Sequence, residues 1–244
     1  MSLTVERQLR DGARFQLVRA LMISSAGRDS LATLHSPRPG PEGPEAGPGE
    51  ILDADRLARI AAALVASAGG DARYLDPRVL ATGVTRTVWW QPAGVRPLHL
   101  SGAAARALPE RSGKPAAHPP LVFAAEGGAL RVFALSADAR PTPETALMRA
   151  PYPNLYAAGR VCLGSARVPE HHGADRIQDW ETGFHDSAFS HANPAGGARL
   201  VRGAGGVMGL WREMIDTAAS SFPPDRLVAA DATLGELIDG RIAG

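Results

Sequence analysis

The chain has 244 residues, enough for one large domain or two small ones and for a core that needs no covalent staples. Apolar residues make up 45% and charged residues 21%, an ordinary globular balance, and a formal net charge of +1 gives no electrostatic ground for nucleic acid or an anionic membrane as main partner. One cysteine excludes an intramolecular disulfide and a multi-cysteine zinc site, and a free thiol suits a reducing compartment. Glu6, Arg7, Arg10, Asp11 and Arg14 precede the first apolar run and Arg19 interrupts it, which is not the pattern of a signal peptide. No apolar stretch approaches the roughly 20 residues that span a bilayer. The expectation is a soluble cytoplasmic protein.

In chain order, residues 15–23 read as a buried strand and Ser30–His35 as a second, short one. Ser36–Gly49 is dominated by Pro, Gly and Glu and reads as a solvated loop. A helix follows, capped by Asp53 or Asp55, with Leu57, Ile60, Ala61 and Leu64 on one face and an end at Gly69-Gly70. Val84–Trp90 favours strand, with Val95–Leu100 as its partner across a Gln91–Gly94 turn. Ala103–His118 reads as a loop or short helix. Pro120–Ala125 and Ala129–Leu135, joined by Glu126-Gly127-Gly128, form a strong hairpin signal. Thr142-Pro143-Glu144 reads as a turn or helix start. Asp175–Ser190 carries Ile177, Trp180, Phe184 and Phe189 at helical spacing, and a helix after Gly205-Gly206 places Val207, Leu210, Trp211 and Met214 on one face before Pro223-Pro224 stops it. Thr233–Ile238 reads as a last short helix. The reading is one α+β domain over 1–244, with 1–70 as an N-terminal strand-loop-helix extension containing loop 36–49 and 80–222 as the core.

The segment Pro151–Ser165 holds the one cysteine, Cys162, and Asn154 eight residues before it. The chain has just two asparagines, so the placement is no by-product of abundance. A thiol can act as a nucleophile, and an amide can donate a hydrogen bond to a developing oxyanion. The bland reading makes Cys162 a small buried hydrophobe and Pro153-Asn154 a turn.

Pro153, Asn154, Gly159, Val161, Cys162 and Leu163 together resemble the active-site signature of the E2 ubiquitin-conjugating family, His-Pro-Asn, a short loop with Gly, then Ile/Val-Cys-Leu. The resemblance implies an E2-like α+β fold: an antiparallel β-meander, an irregular active-site segment, then C-terminal helices. It implies that Cys162 carries the C-terminus of a ubiquitin-like protein as a thioester and that Asn154 stabilises the oxyanion. Tyr152 stands where the family usually has histidine, and Leu163-Gly164-Ser165 replaces the usual Leu-Asp; Tyr152, Pro153, Gly159 and Leu163 are then active-site loop residues. Downstream, Val168-Pro169-Glu170, Trp180-Glu181, Phe184 and Phe189–Asn193 resemble the divergent bacterial E2-like group called PRTRC system protein B. That resemblance implies an E1/ThiF-like activating enzyme and a small ubiquitin-like protein as partners, and no cofactor of the chain's own, since the activating partner uses ATP.

His171 and His172 are candidate acid–base groups for Cys162; surface loop histidine is the alternative. His185 and His191 are six apart, not an adjacent helical pair, and no Cys/His spacing of a known metal site occurs. Gly196-Gly197 and Gly203–Gly206 lack a phosphate-loop pattern and read as connectors. Only Lys114 of the 26 basic residues is lysine, which a GC-rich coding bias explains and which also limits self-modification by a transferase. Two other functions stay open: a non-catalytic E2-shaped adaptor in a PRTRC-type cassette, and a cysteine hydrolase using His171 or His172.

Overall fold

The computed structural model describes residues 19–26, 29–41, 43–67, 74–156, 158–164, 166–191 and 199–242. Residues 15–18, Gly69-Gly70, Ser165, Ala192-Asn193 and Gly196-Gly197 therefore lie outside the described residues. Contacts divide the chain into two compact units, Met1–Tyr74 and Leu75–Gly244.

In the first unit β1 (Ala20–Ala26), β2 (Asp29–Gly40) and β3 (Gly43–Ile51) form an antiparallel sheet in that order. The expected solvated loop Ser36–Gly49 is thus corrected to the two arms of a hairpin. Prolines fit because of where their missing N–H groups fall. Pro39 opposes Pro44, so the ladder bonds come from the flanking Arg38–Glu45 and Gly40–Gly43 pairs. Pro37 and Pro39 are two apart and share one edge, and there β1 pairs no further than His35. Leu21, Met22 and Ile23 of β1 are exposed, not buried as expected. Helix α1 (Ala54–Ser67) begins as its sequence indicates: the Arg56 N–H donates to Asp53 Oδ1 at 2.7 Å.

The second unit is built on a six-stranded antiparallel sheet. Its strands are β4 (Val79–Thr82), β5 (Arg86–Gln91), β8 (Leu121–Glu126), β9 (Ala129–Ala134), β10 (Ala146–Arg149) and β11 (Ala229–Thr233), in the spatial order β11-β10-β9-β8-β5-β4. A separate ribbon pairs β6 (Gly94–Leu98) with β7 (Lys114–His118). The central strands are buried on both faces, which is why they read as near-continuous apolar runs. On one face Trp89, Leu121, Phe123, Leu130 and Val132 pack under Trp180 and Phe184 of α3 (Ile177–His185) and Leu210 and Trp211 of α4 (Gly206–Asp216), with α2 (Gly102–Ala107) at the margin. On the other, Val88, Val122 and Phe133 pack against Leu234 and Leu237 of α5 (Leu234–Ile238). A capping box of Thr233 and Glu236 starts α5.

The β8–β9 hairpin forms where Gly127-Gly128 predicts it, both glycines at positive φ (52° and 81°). The expected pairing of Val95–Leu100 with Val84–Trp90 is corrected: both edges of β5 are taken, by β4 and β8, so β6 turns to β7. Within the expected loop or short helix Ala103–His118, the structure has α2 and then β7. The helix expected to Ser190 ends at His185. The helices do not simply come last, because β11 returns to the sheet edge between α4 and α5. The chain is α+β with antiparallel sheets and few helices. Among the described residues no helix is long and apolar enough to cross a membrane.

Candidate active site

The eight-residue interval between Asn154 and Cys162 is the interval of two residues opposed across a hairpin. The Cys162 N–H donates to the Asn154 carbonyl at 2.7 Å, Leu155 and Val161 form the next bridge, and the Tyr156 N–H donates to the Arg160 carbonyl at 2.9 Å. The returning arm lies along β9, with Val132 N–H to the Gly159 carbonyl and Val161 N–H to the Leu130 carbonyl, both at 2.8 Å. Alternation then sorts the side chains. Leu155 and Val161 enter the core, whereas Tyr156, Arg160 and Cys162 face outward, and the thiol is half-buried. Tyr156 and Cys162 are diagonal neighbours on that face. Hydrogen bonding to the sulfur and the charge of its thiolate push the Tyr156 phenol's pKa up.

Gly159 closes the hairpin tip at φ +74°, its N–H donating to the Tyr156 carbonyl at 2.9 Å. A Cβ there would stand 2.7 Å from the Phe133 ring and 2.9 Å from the Val132 carbonyl. Only glycine meets both demands. Gly159→Ala is expected to cost about 2 kcal/mol in urea unfolding, from left-handed strain plus overpacking; a loss below ~0.5 kcal/mol would show that the tip relaxes freely.

Asn154 has φ +63°, a conformation asparagine tolerates better than most residues. Its Oδ1 accepts the Ser190 and His191 backbone N–H groups, each at 3.2 Å, and its own N–H donates to the His191 carbonyl at 2.9 Å. Two backbone donors fix which side of the amide is oxygen. Nδ2 makes no hydrogen bond among the described residues. Tyr152 and Pro153 are buried at the base of the hairpin. The Tyr152 hydroxyl donates to His118 Nδ1 at 2.7 Å, and Trp211 of α4 donates through Nε1 to the Pro151 carbonyl at 2.7 Å. Burial pushes the Tyr152 phenol's pKa up.

Asn154, Cys162 and Leu163 line a cleft of about 650 Å³ whose other wall is formed by Thr182 and Gly183 of α3 and by Asp186, Ser187, Ser190 and His191 after it. Gly183 lets α3 approach the chain beyond Cys162: a Cβ there would stand 2.7 Å from the Arg167 carbonyl. His171 and His172 are not among the cleft residues. His171 Nδ1 accepts from the Gly173 N–H at 3.2 Å, and His172 Nε2 donates to the Val84 carbonyl at 3.0 Å. Among the described residues no three His, Cys, Asp or Glu side chains are grouped to hold a metal ion.

A family model described as prokaryotic E2 family D matches residues 56–230. The chain belongs to prokaryotic E2 family D. No curated protein and no solved structure matches it. The matched stretch of this prokaryotic E2 runs from α1 to β11 and contains the whole hairpin and both walls of the cleft. Sequence reading of the family D chain missed Tyr156 and Ser190, and weighed His191 without placing it beside Asn154. Period-two alternation through 154–162 is the signal that points to Tyr156. Ser190 and His191 reach Asn154 only through the turn after α3, and no local spacing carries that contact.

Proposed function

We propose that the protein is an E2-like acyl carrier: Cys162 accepts a ubiquitin-like protein as a thioester from an E1/ThiF-like activating enzyme and passes it to an acceptor. The observation that carries the reading is the pairing of Asn154 with Cys162 across a hairpin at the wall of an open cleft, inside the stretch matched to a prokaryotic E2 family. In this reading Cys162 is the nucleophile. The Nδ2 donors of Asn154 stabilise the tetrahedral oxyanion, a contribution of about 3 kcal/mol. Tyr152, Pro153 and Gly159 hold the loop, and Leu163 seats its far end on the core. The PRTRC system protein B resemblance supports a cassette setting with both partners encoded nearby.

The test is a charging assay on a non-reducing gel, with ATP, the neighbouring activating enzyme and its ubiquitin-like protein. A thiol-sensitive adduct is expected with the native chain and none with Cys162→Ala. Asn154→Ala is expected to load but to discharge about a hundredfold more slowly. No adduct from partners shown to be active on one another would overturn the reading and favour the adaptor.

A further inference from the structure

Three arginines share one face of the sheet beside the hairpin. Arg131 on β9 lies directly opposite Arg160 on the returning arm. The flanking bonds, Val132 N–H to the Gly159 carbonyl and Val161 N–H to the Leu130 carbonyl, make this a non-hydrogen-bonded pair. In such a pair the Cβ atoms stand only about 5 Å apart. Phe133, on the same face of β9 as Arg131, opposes Arg149 of β10. Arg160 and Arg149 therefore follow one another along the same edge of β9, at the interval of alternate strand residues, about 7 Å. The outward side of the arm continues from Arg160 to Cys162.

Among the described residues none of these three guanidinium groups is paired with a carboxylate. Arg131 Nη1 donates to the Ala158 carbonyl at 3.0 Å and Arg149 Nη1 to the Arg199 carbonyl at 3.2 Å, both main-chain acceptors. Arg149 Nε is buried without a partner, and Arg160 is exposed. Glu126, which lines a small hollow with Arg131, is taken by Arg86 at 3.1 Å. Arg78, Arg86, Arg111 and Arg226 of the same unit each hold a carboxylate, so the unpaired state belongs to this patch and not to arginine in general. Like charges directly opposed across two strands destabilise a sheet. A carboxylate arriving from outside relieves that repulsion and accepts from planar forks suited to it.

We propose that Arg131, Arg149 and Arg160 form a docking patch for an acidic, extended polypeptide segment of a partner protein. Alternate residues of an extended chain project to one side at about the same 7 Å interval, so acidic residues at alternate positions meet Arg160 and Arg149 together. A nucleic-acid surface needs a wide basic field, and a chain of net charge +1 with three clustered guanidiniums does not supply one. Docking here requires no thioester at Cys162.

The test uses the full chain and a fluorescein-labelled peptide of alternating Glu and Thr, followed by anisotropy at about 50 mM salt, where surface charges are weakly screened. Expected is saturable binding that the alternating Gln-Thr peptide does not show and that about 0.5 M salt removes. Arg131→Gln with Arg160→Gln should weaken it about tenfold, and Arg149→Gln alone about threefold. Arg106→Gln with Arg212→Gln lowers the net charge equally on α2 and α4, across the sheet, and should change affinity less than about twofold. Reversal of the patch by Arg131→Glu with Arg160→Glu should transfer binding to the alternating Lys-Thr peptide, a gain that a misfolded variant would not show. Equal weakening in the α2–α4 control, or no binding by wild type, overturns the patch. Tighter binding of labelled oligothymidylate with the same arginine dependence overturns the polypeptide partner in favour of nucleic acid. Cys162→Ala should bind as wild type does, so failure of the patch leaves the thioester reading standing.

Discussion

Replacing Glu181 by alanine is expected to destabilise the second unit by about 3 kcal/mol, the lower end of the cost of orphaning a buried ion-pair partner. Glu181 lies on α3 and is 8% exposed. Its carboxylate accepts from Arg78 Nη1 at 2.7 and 3.0 Å and from Trp89 Nε1 at 3.0 Å. Arg78 also forks onto Asp76 at 2.9 and 3.1 Å, which holds the Asp76 carboxyl below its usual range. The truncation leaves a buried indole N–H without an acceptor and an arginine with one partner instead of two. Asp76 keeps the arginine from being fully unpaired, which sets the figure at the lower end. The loss should appear in the urea midpoint, and it should be smaller in Glu181→Gln, whose amide oxygen still meets Trp89. Removing Arg78 together with Glu181 should cost less than the sum of the single losses. A loss below ~1 kcal/mol in Glu181→Ala would mean that α3 is held by Trp180 and Phe184 alone.

This network also positions the site, because α3 forms one wall of the cleft. Fastening Glu181 to Arg78 and Trp89 at the start of the sheet fixes the face that presents Thr182 and Gly183 to Cys162. None of it is visible in sequence: Arg78 and Glu181 are 103 residues apart and carry no spacing signal. The same blindness hid β4, β10 and β11. Each is four or five residues long, and Ala229–Thr233 contains two or more residues of poor strand propensity, so the sheet edge alone makes it a strand. What sequence does carry is local chemistry. Asp53 caps α1, Gly127-Gly128 turns β8 into β9, and the apolar face after Gly206 makes α4. The Asn154–Cys162 pair is legible only through its resemblance to the E2 signature, and the hairpin that opposes the two residues appears in the fold. The far wall of the cleft is built by residues distant in sequence, and only the fold brings Ser190 and His191 there.

Acid should unfold this protein well before its carboxylates titrate, because two neutral histidines sit in the core. His118 is 1% and His185 is 9% exposed, with ring centroids 5.6 Å apart. Burial lowers the pKa of each from 6.5 to about 3; the charge of His185 and then of Arg96 adds to the effect on His118, and that of Arg96 to the effect on His185. Their hydrogen bonds suit neutral rings. His118 Nδ1 accepts the Tyr152 hydroxyl while Nε2 donates to the Arg96 carbonyl at 3.2 Å, and His185 Nε2 donates to Gln91 Oε1 at 2.8 Å. A proton added to His118 Nδ1 would face a hydroxyl that must turn its own hydrogen away, and one added to His185 Nδ1 would meet no partner. The folded pKa lies below the unfolded one, so the stabilisation is complete above pH ~6.5 and is lost as pH falls toward 3. The limiting slope is about 1.4 kcal/mol per pH unit for each ring, so two units of acidification remove up to ~5 kcal/mol, comparable to the whole stability of many domains. The carboxylates held low by arginines, Asp76 and Asp216 among them, contribute only below pH ~4 and leave the upper window to the histidines. Urea midpoints between pH 7.5 and 4.5 should fall steeply in the wild type. They should fall by one proton less in His185→Gln and in His118→Gln, whatever each substitution does to stability at pH 7.5. A wild-type midpoint that stays flat down to pH 5 would mean that water or a rearranged Gln91 solvates the charged rings in place. Because Tyr152 and Trp211 join this cluster directly to the base of the Asn154–Cys162 hairpin, loss of the cluster should release the hairpin at the same pH.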